Sequence, residues 1–182
     1  MKKPTRFIQA MQADTGWKLS GDSVIGQQDG YWFFITQPGA FQPIVLTIAV
    51  SGEDSAKLEP VKQAIKAKKQ TYKLARVANE HHVLTVSLNA DTNVDKNKAR
   101  MTELIFDLTR LFMQFGLSSG CSLCGSSEPL ETVRIGESPA TICAPCHEKL
   151  RSEFEAIVDQ NKHAGNYATG IIGASMSIGG LK

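Results

Sequence analysis

Cys121 and Cys124 are two residues apart, as are Cys143 and Cys146, and 18 residues separate the pairs. Thiolates are soft ligands, and a two-residue spacing lets both turn toward one ion from a single tight loop. Two such loops supply a tetrahedral donor set. The pattern therefore reads as one structural Zn2+ held by Cys121, Cys124, Cys143 and Cys146, with no other cysteine in the 182 residues. Four thiolates close the coordination sphere. No position is left for water or substrate, so such a site stabilises a small fold rather than activating water.

Two competing chemistries use the same residues. Cys143-x2-Cys146-His147 matches the c-type haem attachment motif. That reading needs export and leaves Cys121 and Cys124 without a role. A redox Cys-x2-Cys pair is the other, and it does not account for two pairs at finger spacing. The residues after Met-Lys-Lys-Pro, Thr5 to Asp14, are mixed and polar, so no export signal is expected. Thiols kept reduced, as in the cytoplasm, favour metal over disulfide. With four thiolates present, His147 reads as a surface residue of a helix.

Other candidate chemistry is sparse. His81 and His82 could bind metal or handle protons, but no further ligands lie near in sequence, so an exposed turn is the plainer reading. His163 falls near the end of the last helix, where partial positive charge suits the dipole. Lys57, Lys62, Lys66, Lys68, Lys69, Lys73 and Arg76 form a basic stretch opposed only by Glu59 between positions 56 and 76. It could meet phosphate, an acidic protein or anionic lipid, or be a solvated face. Tyr72 is its one aromatic, which weakens a base-stacking role. Trp17, Tyr31, Trp32, Phe33 and Phe34 read as core and sheet surface. No phosphate loop, nucleophile elbow or His-Glu hydrolase motif occurs, so no catalytic residue is expected and the chain reads as a non-enzyme. An enzyme would need a pocket of perturbed titrating groups, with His81 and His82 the first to inspect.

The bounds agree with a soluble protein of one ordinary domain plus a small module. Hydrophobic residues make up 42% and charged residues 21%, and the net charge of +2 is low for a dedicated nucleic-acid binder. Residues 168–181 are uncharged and Gly-rich but too few to cross a bilayer.

These side chains need positioning elements. Thr5 to Met11 predicts a short helix. Gly16 to Gly26 predicts a first strand, followed by a turn at Gln27–Gly30 and an aromatic strand at Tyr31–Thr36. Ile44–Val50 is rich in β-branched residues and predicts a central strand. Helical period returns over Glu53–Lys69. Two strands, Tyr72–Ala78 and His82–Leu88, flank a turn at Asn79–His81. A long helix from an N-cap at 91–93 runs to Phe115, with Met101, Leu104, Ile105, Leu108, Leu111, Phe112 and Phe115 as its stripe. The expected fold is α+β: an antiparallel five-stranded sheet with helices in the order α-β-β-β-α-β-β-α. The expected domains are 1–117, a zinc module over 118–164, and a Gly-rich apolar tail over 165–182.

This element order, over about Pro4 to Leu117, resembles the fold of the bacterial type III secretion chaperones. The resemblance implies a protein-binding module without catalysis, often a homodimer. Knuckle Cys121–Gly125, strand Thr132–Ile135, return strand Ala140–Ile142 and a helix opened by Cys143–Cys146 resemble a treble-clef zinc finger. The helix continues with Leu150, Phe154, Ile157 and Val158 as an apolar stripe expected to dock. Asn166, Tyr167, Gly170, Gly173 and Ala174 resemble the transition, in bacterial proteins of this architecture, from a zinc finger into transmembrane helices. That resemblance implies membrane association through the tail, as the start of a membrane segment or as a short peripheral one; the residues alone read equally as a flexible Gly/Ser terminus.

Two functions follow as expectations. The first is a zinc-binding adaptor for a protein partner, at the cytoplasmic face of a membrane. The second is a nucleic-acid-binding zinc finger, whose affinity would fall with salt.

Overall fold

The computed structural model describes residues 3–128, 130–136 and 138–163. The Gly-rich tail and its resemblance to a membrane transition lie outside the described residues. Among the described residues, no helix is long and apolar enough to cross a membrane.

The chain is α+β, but its main antiparallel sheet has six strands rather than five. In chain order come α1 (Arg6–Thr15), β1 (Lys18–Ser20), β2 (Ser23–Gln28), β3 (Tyr31–Thr36) and β4 (Ile44–Ala49). Then follow a 3-10 segment (Gly52–Lys57), α2 (Leu58–Ala67), α3 (Lys69–Tyr72), β5 (Leu74–Glu80), β6 (Val83–Leu88) and α4 (Val94–Phe115). The sheet order is β1-β2-β3-β4-β6-β5.

The extra strand comes from dividing the segment expected to be one strand over Gly16–Gly26. Ser20 pairs with Ser23 across the two-residue turn Gly21–Asp22. Gly21 has φ +61°, left-handed backbone that glycine adopts without a Cβ penalty. The Gly-Asp dipeptide is a hairpin signal. The second hairpin turn is Asp29–Gly30, both at positive φ, which matches the twist of its strands. The expected helix over Glu53–Lys69 is also divided, into the 3-10 segment, α2 and α3.

The helices cover one face. Phe33, Ile35, Leu46, Ile48, Leu84 and Val86 on the sheet meet Phe7, Ile8 and Met11 of α1, Val61 and Ile65 of α2, and Met101, Leu104, Leu108 and Phe112 of α4. The α4 stripe read from sequence is the one buried, with Leu111 and Phe115 packed at its margin. The Asn93 side chain accepts from Lys96 N at its start, and Gly116 ends it in the left-handed region.

Asp107 on α4 ties this layer together. Its carboxylate accepts from Lys68 Nζ and from the hydroxyl of the fully buried Tyr72. Burial works to raise the Asp107 carboxyl, but the bonds from Lys68 and Tyr72 outweigh it and hold it below the usual carboxylate range. Replacing Asp107 by Ala leaves the Tyr72 hydroxyl buried without an acceptor. We expect a loss of about 1–3 kcal/mol in urea unfolding. A depressed carboxyl stabilises above its unfolded pKa, so the gap between wild type and Asp107→Ala should close as pH falls below about 4. An unchanged gap in acid would reject the ion-pair contribution.

Candidate metal centre

The exit from α4 leads into the zinc module without a free linker. Leu117 is buried, and its carbonyl accepts the Tyr31 hydroxyl at 2.8 Å. The Ser118 amide donates to Asp54 Oδ2 at 2.9 Å, while Lys57 Nζ holds Asp54 Oδ1 at 2.7 Å. Ser119 forms a bridge with Val50, just beyond β4. The Ser51 amide donates to Ser118 O at 2.8 Å, and the Gly120 amide to Ala49 O at 3.2 Å. The segment thus anneals to the end of β4.

The knuckle follows at once. The Gly125 amide donates to Cys121 O at 2.9 Å, and the Cys121 amide to Ser126 O at 2.8 Å. Gly125 has φ +75°, so the turn uses the freedom of glycine. The Gly125 carbonyl then accepts the Gly52 amide at 2.8 Å. The second pair arrives on β7 (Leu130–Ile135), β8 (Ser138–Cys143) and α5 (Ala144–His163). The two strands form an antiparallel hairpin with Leu130 paired to Cys143. Thr141 on β8, 1% exposed, donates its hydroxyl to Gly120 O at 3.0 Å. Its carbonyl accepts the Ser122 amide at 2.7 Å. These bonds set the hairpin against the knuckle.

The four sulfurs of Cys121, Cys124, Cys143 and Cys146 lie within 4.8 Å of one another. A tetrahedral zinc with bonds of about 2.3 Å needs sulfur separations of about 3.8 Å. Cys124 Sγ and Cys143 Sγ are 3.5 Å apart, far beyond a disulfide bond, and all four cysteines are free. The donor set fits one structural Zn2+. Among the described residues it is the one cluster of candidate ligands that converges.

The thiols are electrostatically unequal. Burial pushes the Cys121 thiol up, but backbone hydrogen bonds from Cys124, Cys143 and Leu123 outweigh it and bring it down to about 7. Burial raises Cys143 and Cys146, and hydrogen bonding among the neighbouring sulfurs raises Cys146 further. Four sulfurs this close cannot all carry negative charge in a poorly solvated site without a cation among them. A divalent ion removes that conflict, because the thiolate is the form that ligates.

A small core surrounds the cluster. Cys121, Ile142 and Cys143 are buried, with Leu130, Val133, Ile135 and Leu150 packed against them. Of the α5 stripe only Leu150 joins this core, and Ile157 is 55% exposed. Arg134 on β7 reaches the main sheet, donating to Ser20 O at 2.8 Å and facing Asp22 at 3.6 Å.

The other sequence candidates do not join the centre as ligands. His81 occupies the β5–β6 turn at φ +50° and is exposed. His82 is half-buried, with its ring beside Gly125 and its carbonyl accepting the Val50 amide at 2.9 Å. His147 Nδ1 lies 3.3 Å from Glu131. Four residues of the basic stretch are paired with carboxylates: Lys57 meets Asp54, Lys62 meets Glu59, Lys68 meets Asp107, and Lys73 meets Asp91.

Sequence reasoning missed Gly52, Gly120 and Thr141 as the residues that seat the knuckle. The signal for one of them was present: Gly120 directly precedes Cys121, and a glycine can mark a site where another backbone approaches closely. No family model, curated protein or solved structure matches this chain.

Proposed function

We propose that the chain is a non-enzymatic, zinc-stabilised adaptor whose rigid body presents a surface to a protein partner. The observation that carries this reading is the closed four-cysteine cluster seated on the end of β4. A closed donor set spends the metal on structure, and the hydrogen bonds from 118–125 to Ala49–Gly52 make that structure continuous with the sheet. The order of knuckle, β7–β8 hairpin and second pair at the start of α5 supports a treble clef. Pairing of Lys57, Lys62, Lys68 and Lys73 with carboxylates favours a protein partner over phosphate.

The test is capture of the native, zinc-loaded chain from a gentle detergent extract, repeated after nuclease and in high salt. A defined protein retained through both treatments supports the adaptor reading. Ribosomal or nucleoid components released by nuclease would replace it with the nucleic-acid reading.

A further inference from the structure

The outer face of α4 carries a second pattern. Phe106 is 67% and Met113 63% exposed, two helical turns apart. Ala99, two turns before Phe106 on the same line, is also exposed. The line therefore has a small residue at one end, a large one at the other and an aromatic ring at its centre.

Two charges flank the line. Glu103 is exposed and forms no ion pair among the described residues. The Arg110 guanidinium is 67% exposed and meets Asp107 only at 3.4 Å. Asp107 already has Lys68 and Tyr72 as partners, so Arg110 is free to turn outward at little cost to that network.

We propose that this face binds the same face of a second copy, the two α4 helices antiparallel about a two-fold axis at Phe106. A two-fold contact is isologous, so each pairing off the axis occurs twice. It sets residues before Phe106 against those equally far after it. Phe106 meets its own counterpart. Met113 lands on Ala99 of the second copy, large on small. Arg110 comes within one residue of facing Glu103 of the second copy, opposite in charge. A parallel pairing would oppose Met113 to Met113 and Arg110 to Arg110. The sequence of this face therefore complements itself in the antiparallel sense alone. A crossing near 20° keeps such a line in contact over several turns. One helix pair buries on the order of 1,000 Å2 in total, the low end for specific association, so a micromolar dissociation constant is expected. The inference stands apart from the zinc centre and from the choice of partner.

Sedimentation equilibrium on the zinc-loaded full chain, from about 1 to about 500 µM, tests it. The wild type should show a monomer–dimer equilibrium. Phe106→Glu should weaken the dimer about 30-fold or more while far-UV circular dichroism and zinc content stay unchanged, because Phe106 lies outside the core. Glu103→Arg and Arg110→Glu should each weaken it, and the double exchange should restore it. A wild type that is monomeric throughout overturns the proposal. So does a dimer indifferent to Phe106→Glu, or a charge exchange that fails to rescue.

Discussion

Wild-type protein should bind one zinc per chain, and Cys143→Ser should abolish stoichiometric binding and unfold the C-terminal module. Cys143 is buried in the small core, and its sulfur is 3.5 Å from that of Cys124. A serine there offers a poorer ligand and leaves a hydroxyl in apolar surroundings. Structural zinc contributes on the order of 10 kcal/mol to finger folding, far more than a core of Ile142, Leu130, Val133, Ile135 and Leu150 can replace. Cys124 is exposed, so Cys124→Ser should lose affinity with less damage to the module than Cys143→Ser. Metal analysis by mass spectrometry, with cobalt substitution to read the thiolate geometry, separates these outcomes. Retention of one zinc per chain by a Cys143→Ser, Cys146→Ser double variant would remove the assigned centre.

Gly120→Ala should destabilise the whole protein by about 2–4 kcal/mol, at the upper end for one added methyl group. The reason is steric. A Cβ on Gly120 would overlap the Val50 carbonyl and come within 2.7 Å of Ser51 N. These are backbone atoms at the end of a core strand, with no rotamer to yield. The annealed segment must lift from β4, and the bonds from Gly120 to Ala49 and from Ser51 to Ser118 go with it. Gly136→Ala is the control. Gly136 sits at φ +62° with nothing within 4 Å of an added Cβ, so only the conformational cost of about 1 kcal/mol applies. Thermal unfolding and zinc competition should both rank Gly120→Ala far below Gly136→Ala. Equal effects would mean that the segment is not seated on β4.

The cysteines were legible because metal chemistry imposes residue type and spacing together, and few other sequences satisfy both. The stripe of α4 was legible for a similar reason: one helix with caps at Asn93 and Gly116 keeps a single period over 22 residues. The main sheet was misjudged where periodicity carries no information. Lys18-Leu19-Ser20 and Ser23-Val24-Ile25 join as one strand only if Gly21-Asp22 between them, a two-residue turn signal, is passed over, and the left-handed backbone at Gly21 makes the reversal. The seating of the knuckle was hidden more deeply. It depends on Gly125 meeting Gly52 and on Gly120 meeting Val50 and Ser51, two segments far apart in sequence that touch as bare backbone. Backbone-to-backbone contact leaves no side-chain pattern to read, apart from the lack of a side chain. The expectation that the α5 stripe docks is met at Leu150, which packs on the small core, but not at the exposed Ile157, because amphipathicity states that a face is apolar, not what covers it.

The annealing of 118–120 to the end of β4 also bears on how the molecule can be cut and rebuilt. A zinc finger is often treated as a cassette that folds wherever it is grafted. Here a cut at residue 118 would strip the Ser118 and Gly125 carbonyls of the amides of Ser51 and Gly52, and the Gly120 amide of the Ala49 carbonyl. The excised piece would also lose the Ser20 and Asp22 contacts of Arg134. The spacer between Gly116 and Cys121 has no slack either, since each of Leu117, Ser118, Ser119 and Gly120 has a fixed partner. A single inserted residue there would shift both cysteines of the knuckle relative to the strand that seats them. Transplanting this finger would mean carrying the end of β4 along with it.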